Sequence, residues 1–133
     1  MSNVFSSTYT VTIGDINYGG HLGNERALII FQDARIRFLQ HFGFSERDIG
    51  QGAGMVVVES GCSYLQQVFL HEELEIQVEV KDMAGKKFTL QYTVFRSEDG
   101  QKVITGFTLI LAYDYSLGKV VMLPEEFVKQ AQG

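Results

Sequence analysis

The sequence predicts an α+β domain in which one long amphipathic helix packs against a curled antiparallel sheet of about five strands. Three observations carry this. Residues 24–42 hold the strongest helical periodicity, period-two alternation recurs on both sides of it, and short turn segments separate the runs. No linker, repeat or low-complexity tract divides the 133 residues. A single domain spanning 1–133 follows, since domains commonly run to about 100–150 residues.

Thr8–Ile13 alternates polar and apolar side chains, as a half-buried strand does. A loop rich in Gly and Asn follows over 14–24. In the predicted helix, Ala27, Phe31, Ala34, Phe38 and Phe42 mark one apolar face, widened by Leu28 and Leu39. Asn24 suits its N-cap, and Gly43 suits a left-handed C-cap. His41 fits the negative end of the helix dipole, and Asp33 and Arg37 are spaced for an outward i,i+4 pair.

After Gly54 the period becomes two. Met55–Val58 opens a β-branched strand continuing to about Gln67. Leu74, Ile76, Val78 and Val80 alternate with Glu73, Glu75, Gln77 and Glu79, giving a strand with one wet face. Phe88, Leu90, Tyr92 and Val94 repeat the pattern. A turn at Glu98-Asp99-Gly100 leads into 103–112, apolar on both faces and therefore central. Gly118 turns the chain before Val120–Met122, and Pro124 starts a short helix over 125–131. One helix covers only one face of such a sheet, so self-association is expected to cover more.

Composition excludes several classes. Ten Phe, six Tyr and 45% hydrophobic residues argue against disorder. A net charge of −5, from 11 Lys+Arg against 16 Asp+Glu, argues against nucleic acid as the main partner. Lys81, Lys86, Lys87, Arg96 and Lys102 form a loose basic grouping that reads as a solvated face. No apolar run approaches the roughly 18–20 residues that span a bilayer, and no membrane partner is expected. The start, Met1–Ser7, has neither a basic segment nor a long apolar stretch, so no secretory signal is expected. Cys62 is the single cysteine and reads as an incidental thiol in a cytoplasmic protein. His41 and His71 lack ligand spacing, and no metal is expected.

The loop at 14–24 carries the chemistry. A Gly-rich loop feeding a helix start collects free N–H groups and the positive end of the dipole, which can polarise a carbonyl. Asp15, Asn17, His21 and Asn24 crowd the same segment, although Asp, Asn and Gly are also ordinary turn residues.

The pattern Asp15-x-Asn17-x-x-Gly20-His21-Leu22-x-Asn24, followed by Asp33-Ala34-Arg35, resembles the hot-dog acyl-CoA thioesterases of the hydroxybenzoyl-CoA thioesterase type. Their loop reads Asp-x-Asp-x-x-Gly-His-Val-Asn-Asn, and their helix often carries Glu-x-Ala-Arg. Ser63-Tyr64 and His71–Val78 also fit that family's strands, so the resemblance covers roughly the whole chain. It implies a hot-dog fold, hydrolysis of an acyl-CoA to acid and CoA, and a homodimer or homotetramer. No cofactor is expected, CoA being part of the substrate.

One departure matters. The family's second loop Asp is its catalytic carboxylate, and Asn17 stands there. Asn cannot act as a base, so a carboxylate or His from nearby is expected to help activate water. Glu59 and Asp15 rank ahead of Asp33 and His21 for that role. Glu59 stands as the one charged residue between Gly54 and Leu70. On this reading Asp15, Asn17, Glu59 and His21 are catalytic, while Gly20, Gly23, Asn24 and Glu25 bind substrate through the helix start. Gly14-Asp15-Ile16-Asn17 also resembles the start of the Gly-Asp-x-Asn-Pro-x-His signature of R-specific enoyl-CoA hydratases. Tyr18 replaces its Pro and His21 falls one residue late, so this ranks second. A non-catalytic acyl-CoA or acyl-carrier-protein binding module is the third reading, motivated by Asn17.

Overall fold

The computed structural model describes residues 4–132. Met1–Asn3 and Gly133, which belong to the domain expected over 1–133 and to the start read for a signal, lie outside the described residues. The strands are β1 (Val4–Thr10), β2 (Gly54–Tyr64), β3 (Glu73–Ala84), β4 (Lys87–Arg96), β5 (Lys102–Asp114) and β6 (Lys119–Val120). The helices are α1 (Arg26–His41) and α2 (Glu125–Gln132). One antiparallel sheet runs β1-β3-β4-β5-β2, with β6 paired to β5. The sixth, two-residue strand is the addition to the expected five.

Helix α1 lays Ala27, Ile30, Phe31, Ala34, Phe38 and Leu39 onto the sheet's inner face, against Ile76, Val78, Leu90, Tyr92 and Ile104. Phe31 stacks flat on Tyr92 at 4.4 Å between centroids. That approach needs Gly106: a Cβ there would lie 2.3 Å from the Phe31 ring and 2.7 Å from the Gly61 carbonyl oxygen. Glycine at this position is a packing requirement, since the helix could not otherwise sit so close to β5.

Arg35 is buried in the same layer. Its Nε donates to Glu46 at 2.8 Å, and its Nη1 reaches the Tyr92 and Thr108 hydroxyls at 3.2 and 3.4 Å. A guanidinium can be buried when its donors are satisfied in this way. Periodicity alone does not select Arg35 as an interior residue.

Several expected boundaries move. The first strand ends at Thr10; Ile13–Asp15 forms a 3-10 turn and Ile13 is 74% exposed. Helix α1 starts at Arg26 after Glu25, and the Asn24 side chain makes no cap. Leu28 is 41% exposed, and Ile30 takes the interior place instead. Gly43 does end the helix, with φ +83°. Its amide bonds Gln40 and that of Phe44 bonds Leu39, closing a Schellman motif. The Asp33–Arg37 pair forms at 3.0 Å. Strand β5 buries Ile104, Ile110 and Ala112 inward, while Phe107, Leu109 and Leu111 on its other face stay half-exposed.

Candidate active site

The loop between the 3-10 turn and α1 is built on Asp15. Asp15 is 1% exposed, and its Oδ2 accepts from the Tyr9 hydroxyl (2.8 Å), the Thr12 amide (2.8 Å) and the Thr12 hydroxyl (3.0 Å). Its Oδ1 accepts from Arg26 Nε at 3.2 Å, with Arg26 Nη2 also at 3.2 Å. Burial by itself would raise this carboxyl, but bonds from the Thr12 amide, Tyr9, the Thr12 hydroxyl and Arg26 outweigh it and hold it below the usual range. The same burial, with the bond to Asp15, pushes Tyr9 up to about 12. Both Asp15 oxygens therefore serve to tie β1, the loop and the start of α1 together. Its partners do not include His21, the second member of a hydratase-type dyad.

Beyond Asp15 the loop folds back as a narrow antiparallel bridge between Ile16 and Leu22. The Asn17 amide bonds the His21 carbonyl, and the Gly20 amide bonds the Asn17 carbonyl, both at 3.0 Å. Gly20 has φ +85°, a left-handed conformation that glycine takes without strain. Asn17 Oδ1 accepts from the Gly19 amide at 2.9 Å, so this side-chain oxygen caps its own turn. Tyr18 stands fully exposed at the tip.

A cavity of about 220 Å³ opens between the end of this loop and the end of β2. His21, Leu22, Asn24, Tyr64 and the segment 65–68 line it. The Tyr64 hydroxyl donates to the Asn24 carbonyl across its floor. Burial raises Tyr64, as do the neighbouring Cys62 and the Glu25 carboxylate, so this hydroxyl keeps its proton. The outer wall is clamped by Arg96: its Nη2 donates to the Gln67 carbonyl at 2.6 Å, and its Nη1 to Gln66 and Asp99. Arg96 Nε lies 2.8 Å from Glu72. The Leu22 amide bonds the Val68 carbonyl at 2.7 Å and ties this wall to the loop.

The sequence-predicted residues thus divide. His21 and Asn24 line the cavity; Gly23 and Glu25 adjoin Asn24 at the helix start; Asn17 and Gly20 form the turn beneath. Asp15 sits under the loop with its oxygens occupied. Glu59 lies elsewhere: exposed, beside the β2 bulge at Val57/Glu59, and roughly 17 Å along the strand from Tyr64 at about 3.3 Å per residue. Tyr64 and Arg96 are the residues that sequence reasoning missed. The strand pattern supplied no signal that Tyr64 would meet a loop forty residues earlier. Among the described residues, no group of three or more His, Cys, Asp or Glu side chains converges as metal ligands would.

Similarity to known proteins agrees with this architecture. A model of the thioesterase-like superfamily matches residues 11–131. The L-carnitine dehydrogenase/betainyl-CoA thioesterase of Agrobacterium fabrum is 25% identical over 116 residues, covering 87% of this chain and 24% of that longer protein. A 1,4-dihydroxy-2-naphthoyl-CoA thioesterase from Synechocystis superposes with a TM-score of 0.88 at 15% identity, over 97% of this chain and 96% of the other. A Staphylococcus aureus protein solved in complex with CoA gives a TM-score of 0.87 at 23% identity, over 98% and 82%. The fold is the hot-dog fold.

Proposed function

The chain belongs to the thioesterase-like superfamily, and from that premise we propose that it hydrolyses an acyl-CoA thioester to a free acid and CoA. The observation that carries the proposal is the cavity between the end of the 14–24 loop, Tyr64 at the end of β2 and the segment 65–68, next to the residues that lead into α1. A helix start presents amides without intrahelical acceptors, and among the described residues those of Asn24 and Glu25 have no backbone acceptor. A thioester carbonyl held there would have its developing oxyanion stabilised by two N–H groups and the helix dipole. Asn24 lines that pocket, and His21, which lines it too, is a polar partner for the carbonyl or a water.

CoA as the leaving group is supported by the Staphylococcus aureus neighbour, solved with CoA, and by the betainyl-CoA thioesterase relative. The chain is proposed to act as a homodimer or higher homo-oligomer. Leu28, Ile29 and Ile36 on α1, with Val57, Val58 and Tyr64 on the edge strand β2, expose apolar surface that a second copy would cover. A cytoplasmic location is proposed, in keeping with a CoA substrate; no helix among the described residues is long and apolar enough to cross a membrane.

The test is thiol release from a panel of short-chain, long-chain and aromatic acyl-CoAs, with crotonyl-CoA followed by loss of enoyl absorbance. Thiol release with turnover supports hydrolysis. Absorbance loss without thiol would point to hydration instead. Saturable acyl-CoA binding without either signal would favour a binding module.

A further inference from the structure

Resting on the thioesterase reading above, we propose that Glu25 is the residue that activates the hydrolytic water, taking the place that Asn17 cannot fill. Glu25 immediately precedes α1 and has helical backbone angles, φ −75° and ψ −16°. Side chains in helical conformation point back toward the helix N-terminus, so this carboxylate turns toward the loop rather than along the helix. It lies over Gly23: a Cβ built on Gly23 would be 2.9 Å from Glu25 Oε1 and 3.2 Å from Oε2. Gly23 stands between Leu22 and Asn24, both of which line the cavity. Any larger residue at 23 would displace the carboxylate.

Neighbouring carboxylates are otherwise engaged or distant. Asp15 is held by Tyr9, Thr12 and Arg26. Glu72 accepts from the Phe69 amide at 2.8 Å and faces Arg96. Asp33 pairs with Arg37 about 12 Å further along α1, at about 1.5 Å per residue. Within its own chain, Glu59 is five residues before Tyr64 on β2, roughly 17 Å away at about 3.3 Å per residue. Glu25 makes no hydrogen bond or ion pair among the described residues, and its charge is felt by the Tyr64 hydroxyl at the cavity floor. It is the open carboxylate beside the amides proposed to hold the carbonyl.

In the proposed step, Glu25 takes a proton from water as the water oxygen bonds to the thioester carbon. The carbonyl electron pair moves to oxygen, toward the Asn24 and Glu25 amides. The tetrahedral adduct then re-forms C=O and breaks the C–S bond, and the departing thiolate receives the proton that Glu25 holds. Acyl-CoA and water give acid and CoA, with no other reactant.

Steady-state thiol release is measured for the wild type, Glu25→Gln and Gly23→Ala, with the melting temperature of each. Glu25→Gln is expected to lower kcat by about 10²–10⁴-fold, the usual contribution of a general base, with KM and melting temperature near wild type. Gly23→Ala moves the carboxylate without removing it and should also lower kcat while leaving the fold intact. A Glu25→Gln enzyme within about fivefold of wild-type kcat, or one that only melts earlier, overturns the assignment while hydrolysis stands. A wild type that releases no thiol from any acyl-CoA overturns both.

Discussion

Replacing Asp15 by Asn separates an anchoring carboxylate from a chemical one. The substitution conserves shape but removes the charge that faces Tyr9, Thr12 and Arg26. If the remaining carbonyl oxygen keeps the Oδ2 side, the new NH2 faces the Arg26 guanidinium as donor against donor. The Arg26 side chain is 30% exposed, so the lost ion pair contributes only about 0.5–1 kcal/mol. The bonds from Tyr9 and Thr12 change from charge-assisted to neutral in a buried setting, a weakening of about 0.5–1 kcal/mol each. The whole comes to about 2–4 kcal/mol. For a domain of this size about 1 kcal/mol shifts the melting temperature by roughly 3–5 °C, so a fall of about 10 °C is expected by circular dichroism. The sign with pH also follows. Asp15 is held below its unfolded value, so its contribution is complete above the ordinary carboxylate pKa of about 3.9 and is lost as pH falls through the folded value. The gap between wild type and Asp15→Asn should be constant from pH 7 to about 5 and narrow below about 4. A variant melting within about 2 °C of wild type, or a gap unchanged in acid, would refute the anchoring role. So would loss of kcat by more than about 100-fold with the melting temperature intact, since that is what a general base would show.

Three further outcomes follow from the packing. Gly106→Ala should destabilise by about 1–3 kcal/mol in urea unfolding, because the new methyl meets the Phe31 ring and the Gly61 carbonyl. Adding Phe31→Leu should recover part of that loss, and no recovery would locate the strain elsewhere. Glu46→Gln should cost more than Arg35→Met, because the first leaves a buried guanidinium with a weakened partner and the second removes the buried charge altogether. Chemical denaturation of the two variants gives the order directly. Arg96→Ala should speed amide hydrogen exchange over 65–68 relative to β3 and β4, since the Arg96 bonds to Gln66 and Gln67 are lost. Equal protection in both proteins would show that the Val68–Leu22 bond holds the cavity wall unaided.

Much of the site's neighbourhood was legible from residue order. The Gly-rich loop before a long helix, and the departure at Asn17, are local facts that survive any packing. What local pattern does not reveal is how each polar atom is used. Asp15 and Glu25 are both carboxylates near one helix start, and Asp15 ranks higher by its motif position. Its oxygens are nevertheless taken by Tyr9, from β1, and by Arg26, from α1. Glu59 follows a β-branched run that resembles a core strand, yet β2 is the sheet's edge and the bulge at Val57/Glu59 leaves it exposed. An edge position is a property of strand order, and no alternation of apolar residues encodes that order.

The sequence by itself determined the element types, the single long helix with its Gly43 terminus, and the loop that delivers free amides to a helix start. Periodicity, turn chemistry and capping act over a few residues, so their consequences can be read in order along the chain. Tertiary structure alone decided that Gly106 admits Phe31, that Arg35 is buried, and that Tyr64 and Arg96 enclose a cavity beside the loop. It also decided that both Asp15 oxygens are taken by neighbouring groups. Those outcomes depend on which strands pair and on where a helix can approach them, and each joins groups far apart in sequence through contacts only a few ångströms long.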